Sequence, residues 1–347
     1  MLDNLRMVLN VLFVTINTAM TAFTVSFFGL IKLILPISIV QKSCTRLANF
    51  TFWCWASLNL WMLNVNNDIE WQVEGGEDIS TKQWYLMMSN HLSWADIVIL
   101  SSILKDKMPM TKFFLKHELL YVPFVGLACW GLDMPFMRRH SREFLIRNPE
   151  RRNDDFDAIN KACTKFKWAP TTLVNFVEGT RANHEKLATA KTPYRHLLKP
   201  KTGGVAFALS AMGPILDGIV DVTLAYPENQ TSPFEDMLKG KMKKVVVRIK
   251  LHPMDENVNG NYFEDKAFKR RFHSWLNNTW KEKDEYLDTV YALDTVDTVD
   301  TVDAVDAVDA VDAVDAVDAV DAVDAVDAVD AVETIDGLDT VHKKQEQ

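Results

Sequence analysis

Trp84-Tyr85-Leu86-Met87-Met88-Ser89-Asn90-His91-Leu92-Ser93-Trp94-Ala95-Asp96, running on into the apolar segment Ile97 to Leu104, is the stretch whose reading decides the fold. The short apolar run Trp84 to Met88 predicts a buried strand, and Ile97 to Leu104 predicts a helix. His91 then falls at the strand-to-helix turn and Asp96 in the first helical turn. Five residues of regular helix would place the two side chains about 140° apart. They meet only if His91 lies before the helix and points back. A His–carboxylate pair at such a turn suits alcohol activation: the imidazole takes the proton, and the carboxylate fixes its tautomer and stabilises the cation. The alternative is a His that caps a helix beside an unrelated Asp. With eight His in the chain, a His followed by Asp five residues on has a chance probability of roughly a third, so the pair needs support from elsewhere.

That support comes from a second turn. Thr171 to Val177 predicts another strand, and Phe176-Val177-Glu178-Gly179-Thr180-Arg181 leaves its end. With Asn90-His91…Asp96, this stretch resembles the PlsC-type glycerophospholipid acyltransferases, whose first motif is N-H-x-x-x-x-D and whose third is F-x-E-G-[ST]-R. The second-motif elements also stand in order. Lys116-His117-Glu118-Leu119 matches K-x-E-L, with Pro123 and Gly126 after it, and Phe136-Met137-Arg138-Arg139 matches F-[IV]-x-R. Val222-Thr223-Leu224-Ala225-Tyr226-Pro227 is a looser form of the fourth motif. With His196-Leu197-Leu198-Lys199-Pro200 upstream, it resembles the branch that includes lysocardiolipin-type acyltransferases and bacterial inner-membrane homologues. The resemblance covers residues 8 to 286, and four motifs in order are far more specific than any one.

Charge divides the chain. Residues 288–347 hold 16 Asp, two Glu and two Lys, a net of −16, which leaves +7 for residues 1–287 against −9 overall. A basic body suits anionic membrane surfaces or anionic substrates. No helix-turn-helix, RNA-recognition or zinc-finger pattern accompanies it, so nucleic acid is not the expected partner. Cys44, Cys54, Cys129 and Cys163 form no C-x-x-C pair and suggest neither a disulfide framework nor a metal site. They read as buried, reduced thiols of a cytoplasm-facing domain.

Met7 to Ile31 and Leu47 to Asn67 carry no charge. The first is long enough to cross a bilayer of ~30 Å, though Asn10, Asn17 and several Thr interrupt it. The second is rich in Phe and Trp, as at a membrane interface. Residues 1–67 are therefore expected to form a two-helix hydrophobic membrane anchor; a soluble helical hairpin is the alternative. Lys32, Lys42 and Arg46 favour a cytoplasmic connection, which one span plus an in-plane helix would reconcile with a cytoplasmic body. The expected location is the inner membrane, with the active site facing the cytoplasm.

Residues 68–287 read as an α/β domain, with a mostly parallel sheet flanked by helices. The expected strands are Ile69–Glu74, Trp84–Met88, Met110–Leu115, Met134–Met137, Thr171–Val177, Val220–Tyr226 and Val245–Leu251. Helices are expected over Arg152 to Lys167 and Tyr262 to Lys283. The second is amphipathic, with Phe268, Phe272, Trp275 and Trp280 as a core-packing stripe beside a basic face. From Ala292 to Glu333 the chain is fourteen Thr/Ala-Val/Leu-Asp/Glu triplets. A period of three matches neither helix nor strand, so residues 288–347 read as a low-complexity acidic tail, mainly disordered.

The resemblance implies acyl transfer to the free hydroxyl of a lysophospholipid, with 1-acyl-glycerol-3-phosphate expected first. A larger headgroup is the second reading, and a silent membrane protein that binds lipid or a partner is the third. His91 would be the base and Asp96 its orienter. Lys116, Arg139, Glu178, Gly179, Thr180 and Arg181 would bind the acceptor and its phosphate. The Arg181 fork suits phosphate bidentately, Gly179 permits close backbone approach, and Glu178 would orient Arg181 or an acceptor hydroxyl. An acyl-CoA or acyl-carrier protein would be co-substrate. No other cofactor and no metal are expected, and no G-x-S-x-G nucleophile elbow is present.

Overall fold

The computed structural model describes residues 2–138, 144, 147–148, 151 and 154–299. Two long helices come first, α1 (Leu2–Ile34) and α2 (Ser38–Asn66). The strands are β1 (Glu70–Gly75), β2 (Tyr85–Ser89), β3 (Thr111–Phe113), β4 (Leu115–Lys116), β5 (Phe136–Met137), β6 (Thr172–Phe176), β7 (Gly218–Ala225) and β8 (Lys244–Pro253). The remaining helices are α3 (Ala95–Leu104), α4 (Val125–Gly131), α5 (Asp154–Phe166), α6 (His184–Thr189), α7 (Thr202–Met212), α8 (Pro233–Lys239) and α9 (Lys266–Val299).

The main sheet runs β1-β8-β7-β2-β6-β3, and only the β7–β8 pair in it is antiparallel. Its inner strands β7, β2 and β6 are buried along nearly their whole length, so both faces must be covered. In β2, Tyr85 and Met87 enter one core while Leu86 and Met88 enter the other. In β8, Val245, Val247 and Ile249 face the first core and Val246 the second. Helices α1 to α3 contribute to the first core, and α5, α7 and α9 to the second. The expected Met110–Leu115 strand divides in two. β3 pairs with β6, then the chain leaves that edge and Leu115 N–H donates to Pro135 O at 3.0 Å, opening the small parallel β4–β5 pair.

Asn10, Asn17 and Thr21, three of the polar residues that interrupt α1, are buried against the protein. Asn10 donates to Leu238 O at 2.9 Å and Asn17 to Trp55 O at 3.1 Å. Lys32 pairs with Asp133. Gly131 allows α4 to close on α1, since a Cβ there would lie 2.6 Å from the Val25 backbone. The opposite face, through Leu5, Leu9, Leu12, Ile16, Phe23 and Phe27, is exposed at 50–65%. An exposed apolar stripe of this kind suits association with a membrane or with another protein. Among the described residues, α1 is the one helix long and apolar enough to cross a bilayer, with mean hydropathy 1.7.

Helix α9 is longer than expected. Phe268, Phe272, Leu276 and Trp280 recur every four residues at 2% exposure or less, and Leu287 and Val290 continue the buried face. Trp275 from the expected stripe is half-buried instead. The expected boundary between 287 and 288 therefore cuts a continuous helix. Asp288 beyond it accepts from His196 Nε2 at 2.9 Å and Arg195 Nη1 at 3.0 Å. The first triplets of the repeat are helical to Val299; residues 300–347 lie outside the described residues.

Candidate active site

Parallel pairing brings three strand ends to one edge. Ser89 of β2 lies opposite Phe176 of β6 and Val222 of β7. The segments leaving those strands carry His91, Glu178 to Arg181, and Tyr226. Open α/β sheets bind ligands at this carboxyl edge.

His91 stands in the turn before α3 and does point back. Its Nδ1 lies 2.7 Å from Asp96 Oδ2. A carboxylate only accepts, so Nδ1 carries the proton and Nε2 is left as the basic nitrogen. The same Oδ2 accepts from Leu92 N–H at 2.7 Å and Ser93 N–H at 3.1 Å. Oδ1 accepts from the Tyr226 hydroxyl at 2.7 Å. Asp96 is thus fully buried with both oxygens engaged. The imidazole stacks on Phe176, ring centres 4.0 Å apart and 14° from parallel. Ser93 Oγ accepts from Ala95 N–H at 3.3 Å at the start of α3.

The Glu178–Arg181 loop closes against this turn. Ala182 N–H donates to His91 O at 2.7 Å, and Val177 N–H to Ser89 O at 3.2 Å. Gly179 has φ +73°, a region other residues enter at a cost, and a Cβ there would meet the Lys201 stem at 3.2 Å. The Arg181 guanidinium lies 5.0 Å over the Trp94 ring, three residues along from His91. Thr180 Oγ1 accepts from Lys186 Nζ at 2.9 Å.

Gly179, Thr180 and Arg181 stand at the His91 edge. Lys116 is on β4, paired in register with Met137, three residues after β3 ends at Phe113, whose ring lies 5.9 Å from that of Phe176. Arg139 lies outside the described residues. Glu178 does not meet Arg181, one of the two partners expected for it. It is 1% exposed, and its oxygens make no hydrogen bond to Arg181; the backbones of Leu198 and His91 are the hydrogen-bonding groups that act on it. The charges that act on it are those of Lys283 on α9, itself buried, and of Asp96. Burial pushes the Glu178 carboxyl well above the usual carboxylate range, against the pull of Lys283. Lys283 Nζ donates to Val222 O at 2.5 Å and pairs with Asp221 Oδ1 at 2.9 Å, and burial lowers its pKa. Nothing in the local sequence around Glu178 marks a partner 105 positions away.

Sequence reasoning also passed over Lys186 and Lys201, which the fold sets around the Gly179 turn. Lys186 falls five residues past Arg181, but Lys201 reaches the loop only through the backbone bond from its N–H to Val177 O, 2.8 Å. A cavity of about 280 Å³ lies at the other edge of the sheet, between α2, the end of α3 and the start of β3. It shares no lining residue with the His91 site.

Comparison with known proteins agrees with this geometry. The family model described as Acyltransferase matches residues 70–226. A 1-acyl-sn-glycerol-3-phosphate acyltransferase 2 of Brassica oleracea is 30% identical over 194 residues, covering 52% of this chain and 44% of that protein. The chain thus spans less than half the length of that relative. Lysocardiolipin acyltransferase 1 of Mus musculus is 24% identical over 286 residues, covering 78% of this chain and 71% of that protein. The crystal structure of the 1-acyl-sn-glycerophosphate acyltransferase PlsC from Thermotoga maritima shares the fold, with TM-score 0.51, 18% identity, and coverage of 83% of this chain and 99% of that one. The matched segment, which carries the His91–Asp96 pair and the Glu178–Arg181 loop, is thus similar to the acyltransferase family.

Proposed function

We propose that this protein is a membrane-associated O-acyltransferase that moves an acyl group from a thioester, acyl-CoA or acyl-carrier protein, to the free hydroxyl of a lysophospholipid. The observation that carries this reading is the His91 Nδ1–Asp96 Oδ2 contact of 2.7 Å at the strand edge. Nε2 of His91 takes the acceptor's hydroxyl proton as that oxygen attacks the thioester carbonyl. The tetrahedral intermediate expels the thiolate, which recovers the proton from His91. The new ester bond replaces the thioester, and no covalent enzyme intermediate is needed. General-base help of this kind is worth about 10² to 10⁴ in rate.

The acceptor proposed first is 1-acyl-glycerol-3-phosphate, giving phosphatidic acid. A phosphate monoester offers three oxygens to Arg181 and to Lys186 and Lys201 around the Gly179 turn. The exposed apolar face of α1 supports delivery of the lipid from a bilayer, with the inner membrane and a cytoplasmic active site as the proposed setting. A larger-headgroup acceptor is the second reading, favoured by the lysocardiolipin-type relative that aligns with 78% of the chain.

The test presents detergent-solubilised protein with oleoyl-CoA or an acyl-carrier donor and a panel of lysophospholipids, and reads products by mass. Lysophosphatidic acid as best acceptor supports the first reading. A diester acceptor that outperforms it replaces the first reading with the second. No product with any pair overturns the enzyme reading in favour of a silent lipid-binding protein.

A further inference from the structure

We infer that Tyr226 is a positioning residue of the reaction, holding Asp96 in the rotation and charge state that keep His91 a neutral base. The inference rests on the reading of His91 and Asp96 as the working pair. Three donors already share Asp96 Oδ2: His91 Nδ1, Leu92 N–H and Ser93 N–H. Oδ1 faces the interior, and Asp96 is fully buried. The Tyr226 hydroxyl fills that position at 2.7 Å, from a side chain itself only 1% exposed.

A carboxylate has no proton to give, so the phenol is the donor. Burial and the neighbouring Asp96 charge hold that phenol well above its ordinary pKa, so it stays a donor at every working pH. The contact depends on strand order. Tyr226 follows the last residue of β7, and β7 lies beside β2, so the phenol reaches across to the turn that leaves β2.

Loss of the hydroxyl leaves a buried carboxylate oxygen without its donor. The carboxylate becomes more basic, and the His91–Asp96 pair keeps its proton to higher pH. The other ionisable groups about this pair are Glu178, whose carboxyl feels the Asp96 charge; Lys283, which acts on Glu178; and Tyr291, which acts on Tyr226. Glu178 has a raised pKa and feels the Asp96 charge, so the measurement is made with Glu178→Gln throughout.

Tyr226→Phe in the full-length chain is compared with its parent by two readouts. The first is the His91 imidazole titration by NMR, which needs no substrate and so stands whether or not the acyltransferase reading holds. The second is the acid limb of kcat/KM together with the split between kcat and KM. The expected result is an upward move of about one pH unit in both, since one charged hydrogen bond is lost. A fall in kcat near pH 7 with acceptor KM unchanged is also expected. If Tyr226→Phe does not fold, 2,3-difluorotyrosine at 226 is the second variant: its stronger donor should move both readouts down. An unshifted His91 titration in either folded variant overturns the proposal, as does a loss expressed only in Tm.

Discussion

The Asn90 side chain and the Leu224 backbone exchange two hydrogen bonds: Nδ2 donates to Leu224 O at 2.8 Å, and Leu224 N–H donates to Oδ1 at 2.9 Å. The amide imitates a backbone unit and ties the end of β2 to β7, one residue before His91. Asn90→Ala should leave two buried backbone groups unpaired, at about 1–3 kcal/mol each. Urea denaturation reads the loss, and activity should fall further than the remaining folded fraction explains. Asn90→Asp keeps the acceptor but not the donor, and should be intermediate. Equal stability in Asn90→Ala and the native chain would contradict the clamp.

Much of this frame was legible in the sequence. Strand runs such as Thr171–Val177 are apolar on both faces, and that signature needs no tertiary information. The His91–Asp96 spacing forces the two together only when a turn precedes the helix, and the flanking apolar runs supplied that turn. What stayed hidden came from strand order. Tyr226 meets Asp96 across 130 positions because β7 lies beside β2. Glu178 follows the strand end at Phe176 and precedes the Gly179 turn, so its direction depended on a loop conformation that the motif does not state. The boundary at 287 failed because the change in composition came after the buried stripe of α9 had already run on to Val290.

Glu178 should behave as a neutral acid. The unfolded chain releases this proton near the ordinary ~4.3, while the folded chain holds it to higher pH. Above that value the native state binds more protons than the unfolded state, so this group's contribution lowers stability as pH rises. Glu178→Gln cannot titrate, so its Tm relative to the native chain should increase from pH 4 to pH 8. A relative Tm that is flat or falls over this interval would show that the carboxyl is ionised in the fold.

Arg181→Lys keeps the charge and loses the planar fork. Acceptor KM should rise about tenfold, the scale of a lost charge-assisted bond, with donor KM nearly unchanged. Initial rates against each substrate separate the two. A raised donor KM with a constant acceptor KM would assign Arg181 to the CoA phosphates instead.

Truncation after Leu287 removes the buried Val290 and the Asp288 contacts to His196 and Arg195. Against a chain ending at Val299, it should lose about 1–3 kcal/mol, mostly from the apolar burial. Thermal unfolding of the two truncated chains makes the comparison. Identical Tm values would mean that the last turns of α9 do not hold the 194–198 loop.

Asp96→Asn preserves shape but removes the charge that stabilises a protonated His91. Turnover should fall, with substrate binding nearly intact. A KM effect alone, with full kcat, would reduce Asp96 to a structural residue.

The most direct test of the account is acyl transfer by purified native protein and His91→Ala, side by side, with oleoyl-CoA and lysophosphatidic acid. The account predicts phosphatidic acid from the native chain and a loss of about 10² to 10⁴ in kcat for the variant, with Tm and membrane association unchanged. Native-like turnover in a folded His91→Ala protein would contradict it.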